Sequence, residues 1–187
     1  MHTSQTADQK KRLKTPDLAY ISIGAALIAI CSWIYIPAVI QFTLQTFAVF
    51  AVLLILGGKR GTLSVIVYVI LGAFGVPVFS GFTGGIGILL GKTGGYILGF
   101  LFMGLIYILF VKIFGDKPLS RIAALVTGLF ICYAFGTAWF MLLYLKNTGP
   151  VGLMTVLSWC VFPFIVPDLA KMALAFFLSG RVRRFIR

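Results

Sequence analysis

A chain of 187 residues that is 60% hydrophobic and 11% charged does not compose a soluble domain, where charged residues approach ~25%. Mean hydropathy of +1.07 with a net charge of +12 points instead to an integral membrane protein with basic loops. The bases fall in short clusters between apolar runs, not on a soluble basic surface, which argues against nucleic-acid binding. At ~20 residues for each crossing of ~30 Å of hydrocarbon, the chain has room for six helices. The expected fold is all-α: a polytopic membrane protein of six transmembrane helices.

The opening segment MHTSQTADQKKRLK is polar and basic, and residues 1–15 are expected to form a disordered cytoplasmic tail. Residues 16–187 then make a single six-helix transmembrane domain. The run from Ala19 to about Pro37 follows the basic tail as the apolar core of a signal peptide would. It is too long for that and is followed by further spans, so it is predicted to stay as the first helix. Apolar runs at about Phe42–Leu56, Thr62–Gly75, Gly94–Phe114 and Ile122–Leu145 supply four more. The last extends from about Pro167 to Ser179. Between the second and third runs, GGKRG makes a tight basic turn; RVRRFIR closes the chain.

Charge sets the orientation. Thirteen of the sixteen bases fall on one side of this arrangement, leaving Lys92, Lys146 and Lys171. The basic side is cytoplasmic, which places both termini inside the cell and the number of spans even. The outer connection VPVFSGFTGGIGILLGKTGG is rich in glycine and carries one charge, Lys92. Residues 151–164 are apolar but contain Pro163, with Pro167 four residues later. A short outer helix, a break at the prolines and a final helix with Pro167 at its first position are expected. Asp168 would then sit in that helix's first turn, where the helix dipole favours an anion.

Asp168 and Lys171 are the charges of opposite sign that share an otherwise apolar run. Each costs roughly 2.5–3.5 kcal/mol at the centre of a membrane-spanning helix. Such residues pair, face a polar cavity or meet a ligand. At i, i+3 the two share one helix face, so mutual neutralisation and a polar end to a binding pocket are both open. With no histidine or second acid nearby, a hydrolytic role is not supported. Gln41, Thr43, Gln45 and Thr46 stand at the outer entrance of the second helix, suited either to interhelical bonding or to a ligand. Tyr96 could wall a ligand or anchor an interface.

Other motifs carry less. Gly87 to Thr93, GILLGKT, has three residues between its glycines where a phosphate-binding loop needs four, and it lies outside by the charge rule. If the chain moves a solute uphill, the energy must come from elsewhere. Cys31, Cys132 and Cys160 lie singly in apolar runs, as packing residues do, and His2 lacks the neighbours of a metal site. No cofactor is expected. Ala25 and Ala29, with Ser22 and Ala26 beside them, form a small-residue face on the first helix, and Gly95 and Gly99 another on the fourth. Such faces pack within a chain or dock a separate membrane protein.

The run from QFTLQTF through GVPVFSGFTGGIGILLGKTGGYILGF, together with the Pro163-x-x-x-Pro167-Asp168-x-x-Lys171 pattern, resembles the BioY family. These are the biotin-specific S components of energy-coupling-factor (ECF) transporters, and the likeness extends from about Ala19 to Arg183. It implies a six-helix protein of the cell membrane, not an enzyme, that captures biotin from outside with high affinity. Its implied partners are a transmembrane coupling subunit and two ATP-binding-cassette ATPases. The implied biotin contacts are Asp168 and Lys171, with Gly84, Gly85, Thr93, Tyr96, Thr43 and Gln45; the implied docking face for the coupling subunit is Ala25 and Ala29. Where many relatives carry Pro-Gly-Asp, this chain has Val166-Pro167-Asp168. A stand-alone secondary transporter, with Asp168 as a proton-coupled group, is the alternative that the buried charge also allows.

Overall fold

The computed structural model describes residues 14–186; residues 1–13, most of the expected tail, lie outside the described residues. Helix α1 (Thr15–Trp33) leads into a two-stranded antiparallel hairpin, β1 (Tyr35–Ile36) and β2 (Phe42–Thr43). Then come α2 (Gln45–Ala73), the short α3 (Ile86–Leu89), α4 (Gly94–Phe114), α5 (Pro118–Asn147), the eight-residue α6 (Leu153–Cys160) and α7 (Phe162–Ile186). The expected helical architecture holds. The hairpin, at the entrance of the expected second helix, takes Phe42 and Thr43 out of it.

Five of these segments are long and apolar enough to cross a membrane, yet the chain crosses six times, because α2 is two antiparallel arms. Gly57 has φ +80° and ψ 170°, a conformation open essentially to glycine alone, and it breaks the helix. Beyond it the chain turns back. A Cβ added to Gly61 would lie 2.9 Å from the Cα of Leu53, whereas residues eight apart in one straight helix are ~12 Å apart. The GGKRG turn predicted from the sequence is this reversal.

The charged ends identify which tips of the bundle lie together. Arg60, at the α2 turn, pairs with Asp17 at the start of α1 (2.5 Å). Asp116, between α4 and α5, receives Arg121 (2.6 Å) and Arg183 near the end of α7 (3.0 Å). The beginning of α1 and the end of α7 thus share the basic face, as an even number of crossings requires.

Helices α4 and α5 are joined by small residues. Gly95 lies against Trp139 and Gly99 against Cys132, while on α5 Gly136 lies beneath the ring of Tyr96. The small-residue face of the fourth helix therefore packs within the chain. The same is true of Ala25 and Ala29, 4% and 6% exposed in the core shared with α2. This corrects the expected docking face. The exposed side of α1 carries Ala19, Ser22, Ile23, Ala26 and Ile30, a quarter-turn away.

The last span also differs from expectation. The break falls at Val161 (φ −127°, ψ −58°), ahead of both prolines. Pro163 occupies the first turn of α7, where its missing N–H would have had no partner. Pro167 lies inside the helix, and the bond it cannot donate is the one to the carbonyl of Pro163. Asp168 is therefore a full turn deeper than the first turn, beyond reach of the helix dipole.

Candidate functional site

A cavity opens among the outer halves of α2, α4, α5 and α7, beneath the 35–43 hairpin. Counting its open mouth, it holds about 610 Å³ of space free of protein atoms. Ile97, Phe100, Leu129 and Phe164 give it apolar walls. Its polar end is built by Asp168 and Lys171, which are 1% and 8% exposed.

Four elements meet at that end. Lys171 Nζ donates to Asp168 Oδ1 (2.8 Å), to Thr46 Oγ1 (3.1 Å) and to the backbone carbonyl of Thr43 (2.7 Å). Thr46 Oγ1 in turn donates to Asp168 Oδ1 (2.9 Å). From α5, the hydroxyl of Tyr133 donates to Asp168 Oδ2 (2.7 Å). The Lys171 ammonium also lies 4.3 Å from the ring centre of Phe42, which stacks on Phe164, a favourable position for a desolvated cation. Hydrogen bonds from α2 and α5, rather than the helix dipole, hold the carboxylate in the membrane.

A second polar strand runs along the cavity's side. Gln45 Nε2 donates to the hydroxyl of Tyr68 (2.9 Å), a fully buried residue. At the end of α1, Ser32 donates to the carbonyl of Val78 (2.5 Å) or of Ala29 (2.7 Å). Tyr96 is buried, its hydroxyl 3.2 Å from Thr137 Oγ1, so it walls the cavity and does not anchor an interface. Near the mouth Ser80 hydrogen-bonds Gln41, tying the 76–85 loop to the hairpin.

Of the residues expected at a site, Asp168, Lys171, Thr43, Gln45, Thr93 and Tyr96 all line this cavity. Gly84 and Gly85 do not. A Cβ on Gly84 would lie 2.4 Å from the carbonyl of Val76, and Gly85 N–H donates to Gly72 (2.7 Å). Their place is in folding the outer loop onto the end of α2. The sequence reading passed over Tyr133 altogether and left Thr46 as one entrance residue among four. Nothing in the run FICYAFGTAWF marks Tyr133, since its importance comes from α7 lying opposite.

An apolar-walled cavity with one polar end, enclosed by membrane-spanning helices, defines a multi-pass membrane protein built around an internal compartment. The chain belongs to the BioY family, whose model matches residues 5–187. It is 37% identical over 166 residues to the biotin transporter BioY of Thermotoga maritima, covering 87% of this chain and 92% of that one. To the probable biotin transporter BioY of Pyrococcus horikoshii it is 34% identical over 172 residues, with 91% and 98% covered. A crystal structure of the S component for biotin from an ECF-type ABC transporter superposes with TM-score 0.78 at 27% identity, covering 95% of each chain.

Proposed function

We propose that this chain is the substrate-binding component for biotin uptake in an ECF-type ABC transporter, residing in the cell membrane and delivering biotin through partner subunits. The observation that carries the reading is the cavity's polar end, Asp168 and Lys171 with Thr46 and Tyr133, in a chain of the BioY family. Biotin has a ureido ring with two N–H groups and a carbonyl, an apolar thioether ring and a carboxylate tail. The buried carboxylate suits a ureido N–H. Phe100, Leu129 and Phe164 suit the thioether ring, and Thr93 and Gln41 stand nearer the mouth for the tail.

The energy source in this reading is ATP hydrolysed by two partner ATPases, coupled through a separate transmembrane subunit. The exposed face of α1 is the candidate surface for that subunit. Ser22 and Ala26 are its small residues at i, i+4 spacing, which permits close helix approach.

The test is titration of the detergent-purified chain with biotin. Binding one to one is expected, with affinity at least ~10-fold lower (~1.4 kcal/mol) in Asp168→Asn. Unchanged affinity in that variant would reject the site. Tryptophan at Ser22 and Ala26 together should spare binding and block uptake. Uptake in a host without coupling subunits, abolished by an uncoupler, would favour the stand-alone transporter instead.

A further inference from the structure

The hydrogen bonds around Asp168 can be counted proton by proton. Lys171 has three ammonium protons, and it has three acceptors: Thr43 O, Thr46 Oγ1 and Asp168 Oδ1. The single hydroxyl proton of Thr46 goes to Asp168 Oδ1, and that of Tyr133 goes to Asp168 Oδ2. Every side-chain proton of these four residues is therefore committed within the cluster. On the acceptor side the balance is different. A carboxylate has about four acceptor positions. Oδ1 uses two, on Thr46 and Lys171, and Oδ2 uses one, on Tyr133, so one position on Oδ2 stays open. Among the other side chains lining the cavity, the Gln45 amide gives one proton to Tyr68 and keeps the other.

We propose that the buried end of the cavity is an acceptor-only surface for a ligand N–H, and that Tyr133 is the positioning residue that makes it so. The inference rests on the biotin reading and sharpens it. The carboxylate takes a ureido N–H on Oδ2, while the ureido carbonyl is left to a donor outside the cluster, with Gln45 placed for it. Tyr133 comes from α5 and Asp168 from α7, so this one bond fixes the carboxylate plane from across the cavity. Without the Tyr133 hydroxyl, Oδ2 gains a second open position and loses the contact that sets the direction of the first.

The experiment is a double-mutant cycle on the full chain in detergent, with Tyr133→Phe, Asp168→Asn and both together titrated with biotin. Tyr133→Phe should weaken binding by about tenfold in the native background and by less than about twofold in Asp168→Asn. A packing role would give the same factor in both backgrounds, and that result, or no loss at all, overturns the proposal. A second measurement needs no variant. Biotin methylated on both ureido nitrogens should fail to displace labelled biotin from the native chain even at about a hundredfold excess. Competition as strong as biotin's would overturn the N–H assignment. If the native chain does not bind biotin, the functional reading falls and this inference with it; if it binds and the cycle is additive, only the role of Tyr133 falls.

Discussion

Asp168 and Asp116 are both carboxylates held by bases of α7, yet they sit in different electrical settings. Asp168 is 1% exposed, and every group around it is a helix or hairpin partner inside the bundle. Asp116 is about a third exposed on the basic face, between Arg121 and Arg183. Burial by itself would raise the Asp116 carboxyl, but the hydrogen bond from Arg121 and the charge of Arg183 outweigh it and hold it below the usual carboxylate range. Removing one partner of a buried pair strands a charge, whereas at a surface water takes the partner's place. The outer cluster thus depends on each of its partners, and the inner one clips the α4–α5 connection to the end of α7.

The largest expected effect comes from breaking the outer pair on one side. Lys171→Met should cost about 3–5 kcal/mol, read as a fall in melting temperature in detergent, because the buried Asp168 carboxyl loses the ammonium that donates to it. Asp168→Leu combined with Lys171→Met should recover most of that stability and still fail to bind biotin. If the double variant bound normally, the pair would be a structural feature and not a site.

An intermediate effect belongs to the turn between the arms of α2. Gly57→Ala meets no atom within 4 Å of the added Cβ, so its cost is conformational, about 1–3 kcal/mol. A silent substitution there would mean that the turn tolerates another backbone path.

The smallest effects belong to the inner cluster. Asp116→Asn should cost no more than about 1 kcal/mol, and less at high salt. Its pH dependence has a fixed sign. A carboxyl whose folded pKa is depressed adds stability that is complete above its unfolded value and is lost as the pH falls through the folded one. Melting measured from neutral pH downward should therefore show a slightly shallower acid limb in Asp116→Asn than in the native chain. An identical limb would show that the clip adds nothing.

Much of the fold could be read from the chain because lipid imposes a simple rule: long apolar runs cross, and bases stay inside. That rule places Gly94–Phe114, the GGKRG turn and the common face of Arg60, Arg121 and Arg183. It says little about rotation of a helix about its own axis. Ala25 and Ala29 are as small as Ser22 and Ala26, and periodicity alone does not say which pair turns inward. Proline misled in the same way. Pro167 would start a helix in water, but here α7 already begins at Phe162, and packing carries it through the missing bond. At the site, Asp168 and Lys171 stood out because charge in an apolar run is costly. Tyr133 did not, because a tyrosine in a span has no such cost until a carboxylate lies opposite.

One feature of the outer hairpin affects how mutational data from this protein will look. Lys171 grips position 43 through the peptide oxygen and not through the threonine side chain. An alanine scan of residues 42–44 would therefore pass over this tie without cutting it. Inserting a single residue before β2 would turn that oxygen to the opposite face and release the hairpin from α7, with no side chain of the cavity changed.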